Sequence, residues 1–295
     1  MIFRRLNCES PDHGPMFYNQ DNHDLHRFFR DISHARQSAL LLDYDGTLAP
    51  FCRDRLQARP YPGVTALLKE IMSIGRTRVV LISGRRAHEV ISLLNLIPAP
   101  EVWGTHGLER LHCDGTYEMP EIDLYARDAL SEAETWAASL QLQSLVERKP
   151  GSVAVHWRDL PEDKAQDIRN KVVLGWLPIA DRACLTLEQF DGGVEIRMAD
   201  RNKGHAVRTI LAEMEIDAPV AYLGDDQTDE DAFHALQDRG LRILVRSHWR
   251  ETAADLWLRP PVQLTAFLRE WLQACRLAPM GPSQAQSNPS YLEDR

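Results

Sequence analysis

Two aspartates one residue apart, Asp43 and Asp45, end an apolar run in the stretch LLLDYDGTLAP at 40–50. On an extended strand, residues i and i+2 point to one side. Both carboxylates therefore approach one pocket while Tyr44 turns away. Gly46 permits a sharp exit and Thr47 adds a hydroxyl. Two carboxylates at the edge of a core repel each other unless a positive charge lies between them. Three more segments carry residues of matching chemistry. ISGR (82–85) puts Ser83 at a strand end ahead of a helix, where N–H groups and a hydroxyl can hold an anion. RNKGHAV (201–207) puts Lys203 at a helix start, and GDDQTDED (224–231) brings Asp225 to another strand end. Asp43, Asp45 and Asp225 together form an oxygen donor set that suits Mg²⁺, which favours a few carboxylates plus waters and a substrate phosphate. A metal, a lysine, a hydroxyl and a helix start are what a bound phosphate needs.

The bland readings differ in strength. DYDGT alone could be a solvated turn, but an EF-hand loop is excluded because its glycine is sixth and helices flank it. Acids at 229–231 suit the N-terminus of a helix without further function. Asp225 and Asp226, at a strand end, are less well explained that way. His106, in the glycine turn GTHG, divides evenly between a site contact and a structural hydrogen bond. Arg85 either orients the motif, touches substrate or is a surface arginine at a helix start, and Arg158 reads as solvated. Trp103, Trp257 and Trp271 lie in apolar patterns and are assigned to the core.

The elements that must position these residues alternate. Apolar strands are expected at 38–45, 78–84, 101–107, 219–225 and 241–246, with helical spacing at 63–74, 85–95, 207–214 and 264–272. Alternating apolar strands and helices give a parallel sheet covered on both faces, a Rossmann-like α/β core. Ligands bind at the carboxyl ends of such strands, which is where the four segments converge. The interval 111–197 has another rhythm: a hairpin-like stretch RLHCDGTYEM, helices near 123–141 and 162–174, and two strand pairs turning at Pro150-Gly151 and Asp191-Gly192-Gly193. It reads as an α+β unit inserted between core segments 36–110 and 198–276. Residues 1–35 form an N-terminal extension with a short helix near 25–32, and 277–295, rich in Pro, Ser and Gln, reads as a disordered tail.

Composition narrows the function. The chain has 295 residues and a net charge of −9, a poor match to general nucleic-acid binding. Its 5 cysteines are scattered without a CxxC, which argues against a zinc site or disulfide framework and fits a reducing, cytoplasmic setting. No apolar run approaches the roughly 18 residues a membrane span needs. The first residues, MIFRRLNCESPDH, show no apolar signal core.

Taken in order, DYDGTLAP, LISGR, GTHGLER, EIRMADRNKGHAV and YLGDDQTDEDAF resemble the phosphatases of the haloacid-dehalogenase superfamily. More narrowly they resemble the trehalose-6-phosphate phosphatase family. The resemblance covers about 38–275, and 111–197 looks like that family's mobile cap. The cap stretch ERKPGSVAVHWRD resembles the family's Glu-x-Lys segment. Met198 departs from the pattern, because relatives often carry proline there. The resemblance implies that Asp43 is the nucleophile and Asp45 the acid and base. It implies that Mg²⁺ is held by the carboxylates of Asp43 and Asp225 and the backbone carbonyl of Asp45, with Asp226 and Asp229 further out. Thr47, Ser83 and Lys203 would bind the phosphoryl group, and His106, Glu147, Lys149 and Glu195 the sugar. The substrate would be trehalose 6-phosphate, and a trehalose-phosphate synthase is left open as a partner. Sucrose or glucosylglycerol phosphate as substrate, a superfamily phosphotransferase, and a non-catalytic synthase-binding module remain open. Phosphate-monoester hydrolysis demands up to ~10²¹-fold acceleration, and one general acid or base supplies only ~10²–10⁴. A full set of groups is therefore required.

Overall fold

The computed structural model describes residues 16–17, 23–52, 54–158, 160–190 and 192–277. Its large sheet contains β1 (Met16–Phe17), β2 (Ser38–Leu42), β3 (Thr77–Ile82), β4 (Glu101–Gly104), β5 (Glu109–Leu111) and β6 (Tyr117–Glu118). A smaller sheet contains β7 (Val146–Lys149), β8 (Ser152–His156), β9 (Leu185–Phe190) and β10 (Gly193–Met198). The chain then returns to the large sheet as β11 (Val220–Gly224), β12 (Leu241–Val245) and β13 (Leu256–Leu258). The helices are α1 (His23–His34), α2 (Val64–Ser73), α3 (Ala87–Leu94), α4 (Leu124–Ser139), α5 (Glu162–Arg182), α6 (Lys203–Ala212), α7 (Glu230–Leu236) and α8 (Val262–Leu277).

The large sheet runs β1-β13-β12-β11-β2-β3-β4-β5-β6, parallel except for its β5–β6 end. The chain builds outward from β2 through β3 and β4, then restarts on the other side of β2 with β11. That reversal leaves a crevice above the ends of β2 and β11. Alternate residues of β2 enter different cores. Leu40 and Leu42 join the side of α1, α2, α3 and α8, and Ala39 and Leu41 join the side of α6 and α7. Both sides are fully buried, hence the continuous apolar run.

The smaller sheet, ordered β7-β8-β10-β9, is antiparallel. One face is covered by α4 and α5 around Trp176, Leu130 and Val153, a third core separate from the other two. The α/β core with an inserted α+β unit is therefore observed. Four details differ from the sequence reading. The strand β13 has only three residues, too few to register a period, and lay unrecognised around the buried Trp257. The hairpin RLHCDGTYEM forms as β5–β6, but it pairs with β4, so the large sheet continues to Glu118 rather than ending near 110. The turn at 105–107 reverses the chain directly against β4, with Gly104 opposite Glu109. Helix α5 runs to Arg182, beyond the expected 174. The expectations for 1–15 and for the tail beyond Leu277 lie outside the described residues.

Helix α1 shows how the N-terminal segment joins the core. Leu25, Phe28, Phe29 and Ile32 occupy one helical face and are all buried. Phe28 meets Trp271 of α8 edge-on at 5.7 Å between centroids, and Phe29 meets Phe267 at 5.4 Å. Deleting a buried phenyl ring leaves a cavity and typically costs about 3–5 kcal/mol. Phe28→Ala is expected to lower stability toward denaturant by that amount, while the folded variant keeps the ligand affinities of the parent. A stability unchanged within about 0.5 kcal/mol would show that α1 does not belong to the core.

Candidate active site

Asp43 follows β2 directly, and its N–H continues the ladder to Leu223 O at 2.9 Å. The chain then turns tightly, with the N–H groups of Leu48 and Ala49 donating to Tyr44 O at 2.9 and 3.0 Å. Tyr44, turned to the core, anchors the turn through its hydroxyl to Ala58 O at 2.8 Å. Gly46 has φ +86°, and a Cβ there would fall 2.2 Å from Asp225 Oδ2. Only glycine lets the β11 carboxylate approach the β2 turn so closely.

Asp43 is 3% exposed. Thr47 Oγ1 donates to its Oδ2 at 2.9 Å and Lys203 Nζ to its Oδ1 at 2.8 Å. Lys203, also buried, donates to Asp229 Oδ1 at 2.7 Å. Asp229 is wholly occupied. Its Oδ1 also accepts from Tyr222 Oη at 2.6 Å, and its Oδ2 accepts the N–H groups of Asp225 and Asp226 at 2.9 and 3.0 Å. Asp229 therefore serves as an anchor that fixes the lysine and the strand end.

Carboxylate oxygens of Asp43, Asp225 and Asp229 all lie within 4.8 Å of one another. Burial pushes the Asp43 carboxyl up to about 7 even though Lys203 pulls it down. Burial, with the charges of Asp226 and Asp43 nearby, drives Asp225 well above the usual range. Burial likewise raises Asp229, against the pull of Lys203. Asp226 is the exception: burial opposes its charge, but Lys203 and bonds from Thr228 hold it below the ordinary value. A site that presses buried carboxylates to take up protons fits a divalent cation, whose charge would reverse that pressure. Asp43 and Asp225 retain acceptor capacity for one; Asp229 does not.

Asp45 is held apart from this cluster. Arg85 grips it in a fork, Nε to Oδ2 at 2.6 Å and Nη2 to Oδ1 at 2.7 Å. Arg85 is buried and lines the cavity, so it is not a surface arginine, and its fork orients Asp45. Ser83 is buried with its Oγ accepting from Arg85 N at 3.1 Å. Thr47 is also buried, and its hydroxyl is engaged on Asp43.

The smaller sheet closes over these groups. Its register aligns Glu147, Ala154 and Glu195 in one row, so the small Ala154 leaves room between the two acids. Lys149 Nζ bonds Glu195 Oε1 at 2.8 Å and reaches across to Gly84 O at 3.1 Å. Ser152 Oγ donates to the same Glu195 oxygen at 2.6 Å, and His106 Nε2 meets Glu195 Oε2 at 3.0 Å. Burial opposes the Glu195 charge, but Lys149 and His106 hold its carboxyl well below the usual range. Burial lowers His106 despite Glu195, so the ring is neutral at neutral pH. With Nε2–H donating to Glu195, its Nδ1 is a buried acceptor without a partner. The ring fits because Gly84 has no side chain: a Cβ there would be 2.6 Å from it. Glu147 binds His156 Nε2 at 2.8 Å and the Arg55 guanidinium. Arg158, read as solvated, stacks over Phe51 at 4.7 Å.

One cavity of about 430 Å³ is lined by Asp43, Asp45, Ser83, Lys203 and Asp225 from the core and by Glu147, Lys149 and Glu195 from the smaller sheet. His106 lines it too, whereas Thr47 lies behind Asp43. Sequence reasoning passed over Tyr222, Ser152 and Arg55. Tyr222 did carry a signal: a polar tip in a fully buried strand needs a partner.

Comparison with known proteins follows the same outline. The family model described as trehalose-phosphatase matches residues 41–258. The trehalose-phosphate phosphatase of Mycobacterium tuberculosis is 31% identical over 262 residues, covering 83% of this chain. The chain spans 64% of that relative's length. Among solved structures, the C-terminal domain of the C. albicans trehalose-6-phosphate phosphatase superposes with TM-score 0.74 at 17% identity, covering 91% of this chain and all of that one, 100%. The C-terminal domain of the Candida albicans trehalose synthase regulatory protein gives 0.66 at 13% identity, covering 82% and 97%. A haloacid dehalogenase-like hydrolase from B. subtilis gives 0.51 at 17% identity, covering 75% and 94%. These likenesses show the fold.

Glu147 provides a test of the electrostatics. Burial raises its carboxyl, but His156, Lys149 and Arg55 together bring it down to about 2 from 4.5. A depressed folded pKa contributes stability that is complete above the unfolded value and is lost as pH falls through the folded one. The stability difference between the parent and Glu147→Gln is therefore expected to be constant above pH about 5 and to shrink as pH falls from about 4.5 toward 2. Denaturant unfolding across that range measures it, and a difference independent of pH would refute the pairing.

Proposed function

The chain belongs to the trehalose-phosphatase family, and on that premise we propose that it hydrolyses trehalose 6-phosphate to trehalose and inorganic phosphate. The observation that carries this reading is the shared cavity: groups suited to phosphoryl transfer lie on one wall and groups suited to sugar hydroxyls on the other.

In the reaction we infer, an Asp43 oxygen attacks phosphorus and the bond from phosphorus to the sugar oxygen breaks. Asp45 delivers a proton to that departing oxygen, which requires it to yield part of its fork with Arg85. Water then attacks the aspartyl phosphate, Asp45 takes its proton, and the bond between Asp43 and phosphorus breaks to release phosphate. Splitting one hard displacement into two in this way is covalent catalysis. Lys203 has three N–H donors, two of them engaged by Asp43 and Asp229. The third is available to a phosphoryl oxygen in the cavity that Ser83 also lines. Thr47 orients the attacking carboxylate from behind. Asp43, Asp225 and the carbonyl of Asp45 are the groups we assign to Mg²⁺, which when bound supplies positive charge against the anionic phosphoryl group. Glu195, Lys149, Glu147 and His106 are assigned to the sugar.

Among the described residues no helix is long and apolar enough to cross a membrane. Cys52, Cys113, Cys184 and Cys275 are free thiols, which supports a reducing, cytoplasmic setting. The fold alone does not separate a catalyst from a regulatory module, since a relative of each description shares it. The retention of both Asp43 and Asp45 in reach of Lys203 and Arg85 favours the catalyst.

Phosphate release over a panel of trehalose 6-phosphate, sucrose 6-phosphate, glucosylglycerol phosphate and an aryl phosphate tests the assignment, with Mg²⁺ or with chelator. Turnover is expected to be fastest on trehalose 6-phosphate and to stop with chelator. Lys149→Ala and Glu195→Ala are expected to lower kcat/KM for trehalose 6-phosphate by ~10–100-fold, the loss of one hydrogen bond to a charged group, with little change on the aryl phosphate. Equal losses on both substrates would assign these residues to the fold. Faster turnover of another sugar phosphate would replace trehalose 6-phosphate, and no turnover at all would favour the regulatory reading.

A further inference from the structure

We propose that Arg250 is a positioning residue for the metal-binding end of β11. Strand β11 stops at Gly224, and the carbonyls of Asp225 and Asp226 beyond it face the segment that follows β12. Arg250 meets both carbonyls with one planar group: Nε donates to Asp225 O at 3.1 Å and Nη2 donates to Asp226 O. Arg246 adds a weaker contact to Asp225 O at 3.3 Å. The guanidinium is itself fixed, because Nη1 bonds Glu230 Oε1 at 2.6 Å and Glu251 O at 2.8 Å. Glu230, the first residue of α7, is tied to the same loop through Thr252 Oγ1 at 2.7 Å and Ala253 N at 2.8 Å.

Asp225 is thereby held from two sides. Asp229 accepts its N–H, and Arg250 donates to its carbonyl. Fixing both peptide groups fixes the backbone torsions on either side of the α-carbon, and with them the Cα–Cβ bond that carries the carboxylate. Neither Arg246 nor Arg250 lines the cavity, so neither is placed to touch substrate. A lysine could not serve: its point charge cannot span two successive carbonyls as a rigid fork does.

Two effects of Arg250 on a bound cation oppose each other. Its positive charge repels the cation, so charge alone predicts tighter Mg²⁺ binding when the arginine is removed. Its hydrogen bonds hold the ligand in place, so positioning predicts weaker binding. The half-buried fork, bonded to both carbonyls and fixed by Glu230 and Glu251, decides for positioning, and outer-shell changes of this kind typically cost ~10–100-fold in metal affinity.

The inference rests on the Mg²⁺ reading above. Calorimetric titration of Mg²⁺ into metal-free parent, Arg250→Gln and Arg250→Lys, without substrate, tests it. Both variants are expected to bind Mg²⁺ at least ~10-fold more weakly, with kcat recovering at saturating Mg²⁺ and KM for the sugar phosphate unchanged. Arg250→Lys keeps the charge and guards against a folding failure of Arg250→Gln. Parent-like binding by the folded variants, even with a lowered melting temperature, overturns the proposal and leaves Arg250 a structural residue. Tighter binding overturns it in favour of charge. Absence of Mg²⁺ binding by the parent overturns the metal reading itself, and this inference with it.

Discussion

Four carboxylates, Asp43, Asp225, Asp226 and Asp229, meet where β2 and β11 end, and a single buried ammonium, Lys203, lies among them. Burying that much like charge is costly, and much of the surrounding architecture answers it. Tyr222 and two backbone N–H groups occupy Asp229 so that it can hold the lysine. Thr47 takes one oxygen of Asp43. Arg246 and Arg250 approach from behind. What remains uncompensated is the pressure on Asp43 and Asp225 to bind protons, the same pressure that makes a divalent cation welcome.

The topology makes this concentration of charge possible. Because the chain leaves β2 in one direction and returns beside it as β11, two strand ends separated by some 180 residues of sequence become neighbours. Gly46 and Gly84 then let side chains from one segment lie against the backbone of another. The inserted sheet supplies the opposite wall, and its Lys149–Glu195 pair touches the core at Gly84 and His106. The two walls of the cleft are thus built on separate hydrophobic cores.

The strands were legible because a fully buried parallel strand leaves an apolar run, as SALLL at Ser38–Leu42 and VAYLG at Val220–Gly224 do. Their carboxyl-terminal acids were legible for the same reason: a charge next to such a run has to be accounted for. Strand β13 was not, since three residues carry no period. Nor could a sequence separate the arginines. Arg55, Arg85 and Arg250 resemble any surface arginine until the fold brings each to a partner more than twenty residues away: Glu147, Asp45 and Asp225. The pairing of Glu147 with Arg55 and His156 was hidden in the same way, because its partners come from different elements.

The central claim is that Asp43, held between Thr47 and Lys203, is the group that takes the phosphoryl moiety. Acid quenching during turnover of radiolabelled trehalose 6-phosphate, followed by borohydride reduction and peptide mass spectrometry, reads it directly. The account predicts covalent phosphate that forms and decays within turnover, and a reduced residue at position 43 alone. Covalent label on another residue, or steady turnover with no phosphoenzyme at any quench time, would contradict it.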